Sequence, residues 1–196
     1  MALDHKYQGG QTPLDPDEVA GLIPAHLTDQ SQLDEWEQEN ILGAVRWLAA
    51  SRNTDVLTEG FCRELHRRMF NRTWKWAGQF RQSNKNIGCD WPQIAARLSQ
   101  LLENTQFWFA KDVFPVDEAA ARFHVQLVSV HAFPNGNGRH ARLMTDRLLR
   151  QVGAASFSWG DHRDLGVAGN ARQDYLTSLR AADKGDFSLL MNFARS

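Results

Sequence analysis

Apolar and polar positions along this chain alternate mostly at helical spacing. Leu33, Trp36, Asn40, Ala44 and Leu48, joined by Ile41 and Val45, mark the buried stripe of a helix starting near Ser31, with Asp34 placed for a capping-box-like start. Phe61, Leu65 and Met69 predict a helix over 58–70. Phe123, Leu127 and Val130 predict another over 117–131, with Asp117 as its N-cap after Pro115. Ala141, Leu143, Met144, Leu148 and Leu149 carry the same period through 138–151. Further helices are expected near 91–110, 161–182 and 186–194. Two regions depart from this period. Residues 1–25 are rich in Pro, Gly and Asp and predict an extended arm, bounded at residue 30 by the first helix. Residues 78–90 carry Gly78, Asn84, Asn86 and Gly88 and fit a short β-hairpin. The pattern therefore reads as all-α, with an arm over 1–30 and one domain over 31–196.

Composition narrows the function classes. With 196 residues and 42% apolar content, one sizeable core can be buried. A formal charge of −1 gives no global pull toward nucleic acid or anionic membranes, so any phosphate binding must be local. Arg67-Arg68 is too short for a nucleic-acid patch. No apolar stretch reaches transmembrane length and the polar N-terminus lacks a signal-peptide core, so a cytoplasmic protein with no membrane partner is expected. Cys62 and Cys89 show no metal-ligand spacing; reduced thiols are the favoured reading and a single disulfide the alternative. The seven tryptophans are expected in core and groove. A Gly-x-x-x-x-Gly-Lys-Ser/Thr loop is missing, and His124, His131 and His140 do not make a His-Glu-x-x-His pattern, which argues against a P-loop NTPase and a zinc hydrolase. His66 and His162 default to structural roles.

One stretch carries chemistry: His131-Ala-Phe-Pro-Asn-Gly-Asn-Gly-Arg-His-Ala-Arg142. An imidazole ends an apolar helix, and Pro134 with the Asn-Gly run breaks it. A new helix follows, whose first-turn amides are unpaired and carry the positive end of the dipole. Arg139 and Arg142 share nearly one face of it. Two arginines in a first turn oppose the dipole unless an anion compensates. The bland alternative is a structural cap followed by an ordinary turn.

This stretch resembles the signature of the Fic (Fido) family, His-x-Phe-x-Asp/Glu-Gly-Asn-Gly-Arg-x-x-Arg, matched at every fixed position except Asn135. Trp74-Lys-Trp-Ala-Gly-Gln-Phe-Arg81 with Lys85-Asn-Ile-Gly88 resembles the segment leading into the family's substrate-clamping hairpin. Asn170-Ala-Arg-Gln-Asp-Tyr175 resembles the helix closing its nucleotide pocket. Thr12-Pro-Leu-Asp-Pro-Asp-Glu18 and Glu37-Gln-Glu-Asn-Ile41 resemble the subgroup called mobile mystery protein B.

The resemblance implies a Fic-type helical bundle with a hairpin flap and an adenylyltransferase (AMPylase) moving AMP from ATP onto a Ser, Thr or Tyr hydroxyl of a target protein. It implies His131 as general base, Gly136, Asn137 and Gly138 as anion hole, and Arg139 and Arg142 on the β- and γ-phosphates. Lys85, Asn86 and Ile87 would align the target, and Asn170 and Tyr175 would wall the adenine and ribose. ATP is the expected substrate. Asn135 stands where the family carries an acid that binds Mg²⁺, so Mg²⁺ is expected to be held weakly there and mainly by the nucleotide. The first helix resembles an inhibitory Ser/Thr-x-x-x-Glu-Gly/Asn element, with Glu39 directed at Arg142. A toxin-like protein controlled by an antitoxin or by self-association fits the same resemblance. The competing function is a catalytically weak nucleotide-binding or protein-interaction module.

Overall fold

Eight α-helices carry almost all of the regular structure among the described residues, 13–51, 55–160 and 169–196 of a computed structural model. They are α1 (Pro16–Val19), α2 (Gln30–Ala50), α3 (Glu59–Phe70), α4 (Ile94–Ala110), α5 (Val116–Val130), α6 (Asn137–Gln151), α7 (Asn170–Ala182) and α8 (Ser188–Arg195). A single 3-10 turn over Trp91–Gln93 leads into α4. The expected all-α class holds. The start of the helix expected over 161–182, and residues 1–12 of the expected arm, lie outside the described residues.

Helix starts follow local chemistry. Asp29, in extended geometry, accepts from the Gln32 amide at 3.0 Å and so caps α2, two residues before the expected start. Asp34 instead accepts from the Gln30 side chain on the surface. Thr58 caps α3 by accepting from the Phe61 amide at 3.1 Å. Pro115, not Asp117, precedes the first turn of α5; Asp117 lies inside that turn and pairs with Arg195.

Two apolar clusters form. The larger packs α2, α3, α4, α5 and α6 around Leu65, Met69, Trp74, Leu98, Phe123 and Phe133. The smaller joins α5, α7 and α8 through Val125, Leu149, Trp159, Tyr175 and Leu190. Helices α5 and α6 lie side by side between them, and their connection is the turn carrying the chemistry.

The expected hairpin over 78–90 does not form. Residues 79–90 make bends and irregular backbone, and Leu22 with Trp74 makes the one isolated bridge among the described residues. Side chains, not a partner strand, satisfy this loop: Arg81 takes the Ser83 and Cys89 carbonyls, and Asn84 accepts from the Trp91 amide. The arm is also not simply extended. It contains α1 and lies along residues 73–76, with Ile23 donating to Thr73, Lys75 to Gly21, and the Trp76 indole to the Glu18 carbonyl. Gly21 permits that approach, since a Cβ there would stand 2.7 Å from the Trp76 ring.

Candidate active site

His131 is the C-cap of α5 and holds left-handed backbone geometry, φ 52° and ψ 57°. That region is unfavourable for a residue with a Cβ. The turn lets the chain leave α5 into the loop that follows, with the His131 side chain packed against Gly88. The side chain is buried, with 5% of the residue exposed. Burial, then the nearby charge of Arg81, holds its pKa down to about 4; the Val128 carbonyl opposes this, and the charge of Lys85 adds a smaller push downward. At neutral pH the ring is therefore an uncharged base.

The loop from Phe133 to Gly136 is braced from three directions. Asn137 closes it by donating to the Phe133 carbonyl at 2.7 Å and accepting from the Phe133 amide at 2.9 Å. The Asn137 side chain is thus committed to the loop, which leaves its backbone amide for an anion. His66 stacks on Phe133 with ring centres 3.8 Å apart. Its Nδ1 accepts from the Gly78 amide at 3.0 Å, which assigns the proton to Nε2, donated to the Asn135 carbonyl at 3.0 Å. Gly136 has φ 78°, and a Cβ there would lie 2.5 Å from the Phe70 ring, so glycine is required. Helix α6 then begins, and its first-turn amides have no intrahelical acceptor.

Two arginines flank this cradle in different states. Arg139 donates to Glu37 at 2.6 Å, lies over the Phe70 ring, and reaches the Asn135 side-chain oxygen at 3.4 Å. Arg142 lies over the Tyr175 ring, 5.4 Å from its centre. Glu37 is 4% exposed and its other oxygen accepts from the Trp74 indole at 2.6 Å.

The expected inhibitory contact is therefore corrected: Glu39 is exposed, and Glu37 makes the acid–arginine pair, with Arg139 in place of Arg142. The reason is helical phase. Glu37 falls on the stripe of Leu33, Asn40, Ala44 and Leu48, and Glu39 falls off it. That signal was present in the sequence. Arg81 and His66 had no comparable signal, because both act across long sequence separations.

Other expected residues divide. Asn86 and Ile87 are exposed at the tip of the 83–89 loop, close to the site because Gly88 lies against His131. Lys85 is not available to a target as expected: its side chain is 3% exposed and ion-paired with Asp15 and Glu18. Tyr175 is 5% exposed, with its hydroxyl turned inward to His124 Nε2 at 2.8 Å, so it supports Arg142 from below. Asn170 is exposed at the start of α7.

The side chains do not build a metal site. The Asn135 oxygen already accepts from the Gly136 amide and Arg139, and the nearest buried carboxylate, Glu37, is committed to Arg139 and Trp74. Among the described residues no group of three His, Cys, Asp or Glu side chains could hold a metal ion.

The Fic/DOC family model matches residues 56–149, which run from just before α3 to the end of α6 and include the whole cradle. Over those residues the chain is similar to the Fic/DOC family. Curated relatives of this chain include Protein adenylyltransferase Fic of Aedes aegypti, 29% identical over 167 residues and 80% of the chain. The protein of the same name in Drosophila melanogaster is 28% identical over 167 residues and 80% of the chain. This chain spans 32% of the length of either relative. Among solved structures it is similar in fold to Fic-1 from C. elegans, with TM-score 0.64 and 24% identity over 91% of this chain and 51% of that one. The Bartonella tribocorum BepC protein, solved with AMPPNP, has TM-score 0.70 and 17% identity over 92% of this chain and 97% of that one.

Proposed function

We propose that this chain is a protein adenylyltransferase moving AMP from ATP to a Ser, Thr or Tyr hydroxyl of a target protein. The observation that carries the reading is the buried, uncharged imidazole of His131 at the end of α5, on the same connection that carries the Gly136–Arg142 anion cradle. The names of its Fic relatives agree with it. In this reading the amides of Asn137 and Gly138, joined by that of Gly136 once it leaves the Asn135 side chain, receive the α/β-phosphates, and Arg139 and Arg142 the β- and γ-phosphates. Asn170 borders the nucleoside, with Tyr175 supporting Arg142. His131 takes the proton from the target hydroxyl as its oxygen attacks the α-phosphorus. The new P–O bond forms as the bond to the β-phosphate oxygen breaks, and pyrophosphate leaves. The target lies against Asn86 and Ile87. No step is assigned to Mg²⁺, because the side chains present do not fit it.

Incubation of a lysate with ATP labelled at the α- or γ-position tests the transfer. Label from the α-position alone is the expected result; label from the γ-position alone, or none, contradicts it.

The Glu37–Arg139 pair supports a restraint on this activity, since it neutralises one of the two arginines assigned to phosphate. Glu37→Gln keeps an acceptor for Trp74 and removes the charge. Calorimetry is expected to show about tenfold tighter ATP binding than wild type, with Glu39→Gly unchanged. Equal affinity in Glu37→Gln removes the restraint. Antitoxin control would then act on top of a device already within the chain.

A second reading, a nucleotide-binding module with weak turnover, is favoured by one observation: the Asn135 oxygen is turned onto its own loop. ATP binding without α-label in Glu37→Gln would select it.

A further inference from the structure

Arg81 is one of the largest side chains buried among the described residues, at 2% exposed, and its guanidinium hydrogen bonds go to backbone carbonyls. Its Nε donates to the carbonyl of His131 at 2.6 Å, one Nη to that of Ser83 at 2.7 Å, and the other to that of Cys89. Its own amide donates to the Ala132 carbonyl at 3.0 Å. The three N–H directions of a guanidinium fork are fixed in one plane, so a single rigid group sets three carbonyl positions at once. One of these belongs to the strained cap His131, and the other two are the ends of the loop bearing Asn86 and Ile87.

The opposite side of the junction is equally tight. Gly88 has φ 103°, and a Cβ there would stand 2.6 Å from the His131 Cβ and 2.9 Å from the Arg81 guanidinium. Side chain, cap and loop therefore share one packed contact, in which displacement of any member displaces the others.

We propose that Arg81 is a positioning residue that locks the His131 cap and the 83–89 loop into one body, fixing the distance between the proton acceptor and whatever hydroxyl the loop presents. Its kinetic consequence rests on the adenylyl-transfer reading above; its structural consequence does not. The Arg81 guanidinium bonds to the His131, Ser83 and Cys89 carbonyls and not to the 136–142 cradle, so nucleotide binding and transfer should separate.

The test uses Arg81→Met, Arg81→Lys and Gly88→Ala in the full chain, with two readouts. The first is amide hydrogen exchange over 83–89 and 131–133, which needs no activity. The second is ATP affinity by calorimetry beside kcat for AMP transfer. Expected for Arg81→Met are faster exchange in both segments, ATP affinity within about twofold of wild type, and kcat lowered about a hundredfold, the scale of an ångström-level misplacement. Arg81→Lys, which keeps charge and donors without the planar fork, should recover part of kcat. Gly88→Ala keeps the guanidinium and should also lower kcat at unchanged ATP affinity, which tests the linkage even if Arg81→Met does not fold. Unchanged exchange and kcat in Arg81→Lys and Gly88→Ala would overturn the inference. So would parallel losses of ATP affinity and kcat in every variant, the mark of a merely structural residue. If wild type transfers no AMP while the variants loosen both segments, the transfer reading fails and the Arg81 linkage stands. If wild type transfers AMP and the variants are silent, the reverse holds.

Discussion

Asn135 shows how one atom changes the chemistry of this site. A carboxylate at this position would carry the full charge that hard cations prefer; the amide oxygen instead accepts from Gly136 and Arg139. Asn135→Asp is expected to tighten Mg²⁺ binding to the ATP-loaded protein about tenfold, equal to about 1.4 kcal/mol. Titration of Mg²⁺ or Mn²⁺ against ATP-bound wild type and variant checks this, and equal affinities would show that the loop cannot turn its side chain outward. His66 makes a second residue-scale case. It is neutral and buried, and it joins the Gly78 amide to the Asn135 carbonyl. His66→Phe keeps the stacking on Phe133 but leaves both groups unsatisfied. A loss of roughly 1–3 kcal/mol is expected in denaturant unfolding, and a change within 0.5 kcal/mol would contradict the bridging role.

At the scale of elements, the coupling of α1 to the 83–89 loop is the least anticipated feature. Lys85 is buried between Asp15 and Glu18, and Ser83 also donates to Asp15. Those contacts hold the Asp15 carboxyl below its ordinary pKa, with the Lys85 bond the largest cause. Glu18→Gln leaves a buried ammonium with less compensation, so destabilisation of roughly 1–3 kcal/mol is expected, with protease cleavage concentrated in 82–89. Intact loops under limited proteolysis would argue that packing alone holds the arm.

The helices themselves were legible because their stripes repeat at one period: Phe61, Leu65 and Met69 lie buried as their spacing requires. The cradle was legible because Pro134, Gly136, Arg139 and Arg142 lie close together in one short stretch of sequence. What escaped was long-range. Arg81 lies fifty positions from the carbonyl it holds, and Lys85 seventy from Asp15. Local periodicity carries no information on such pairs. The hairpin reading failed for the same reason, since Gly and Asn spacing cannot tell strand pairing from a loop closed by one guanidinium.

Across the whole molecule, buried histidines set the acid limit. His131 and His140 titrate near 4 and His124 near 3, all pushed down first by burial, and His66 lies well below its ordinary value. The folded state binds fewer protons than the unfolded chain between these values and about 6.5, so stability falls as pH drops through that window. Each histidine adds a slope of up to about 1.4 kcal/mol per pH unit. Asp146 acts oppositely: burial raises it to about 6, so its protonation favours the folded state there and offsets part of the loss. Thermal melts are expected to drop steadily from pH 7 to pH 4.5, and a flat profile would contradict the buried neutral imidazoles.

The same depressed imidazole ties stability to function. In Glu37→Gln protein, the rate of label transfer from α-labelled ATP should be level from about pH 5.5 to 8, fall only toward pH 4, and drop at least about a hundredfold in the added His131→Ala variant. A rate rising through an ordinary imidazole midpoint near 6.5, or one indifferent to loss of His131, would contradict an uncharged base working beside the phosphate cradle.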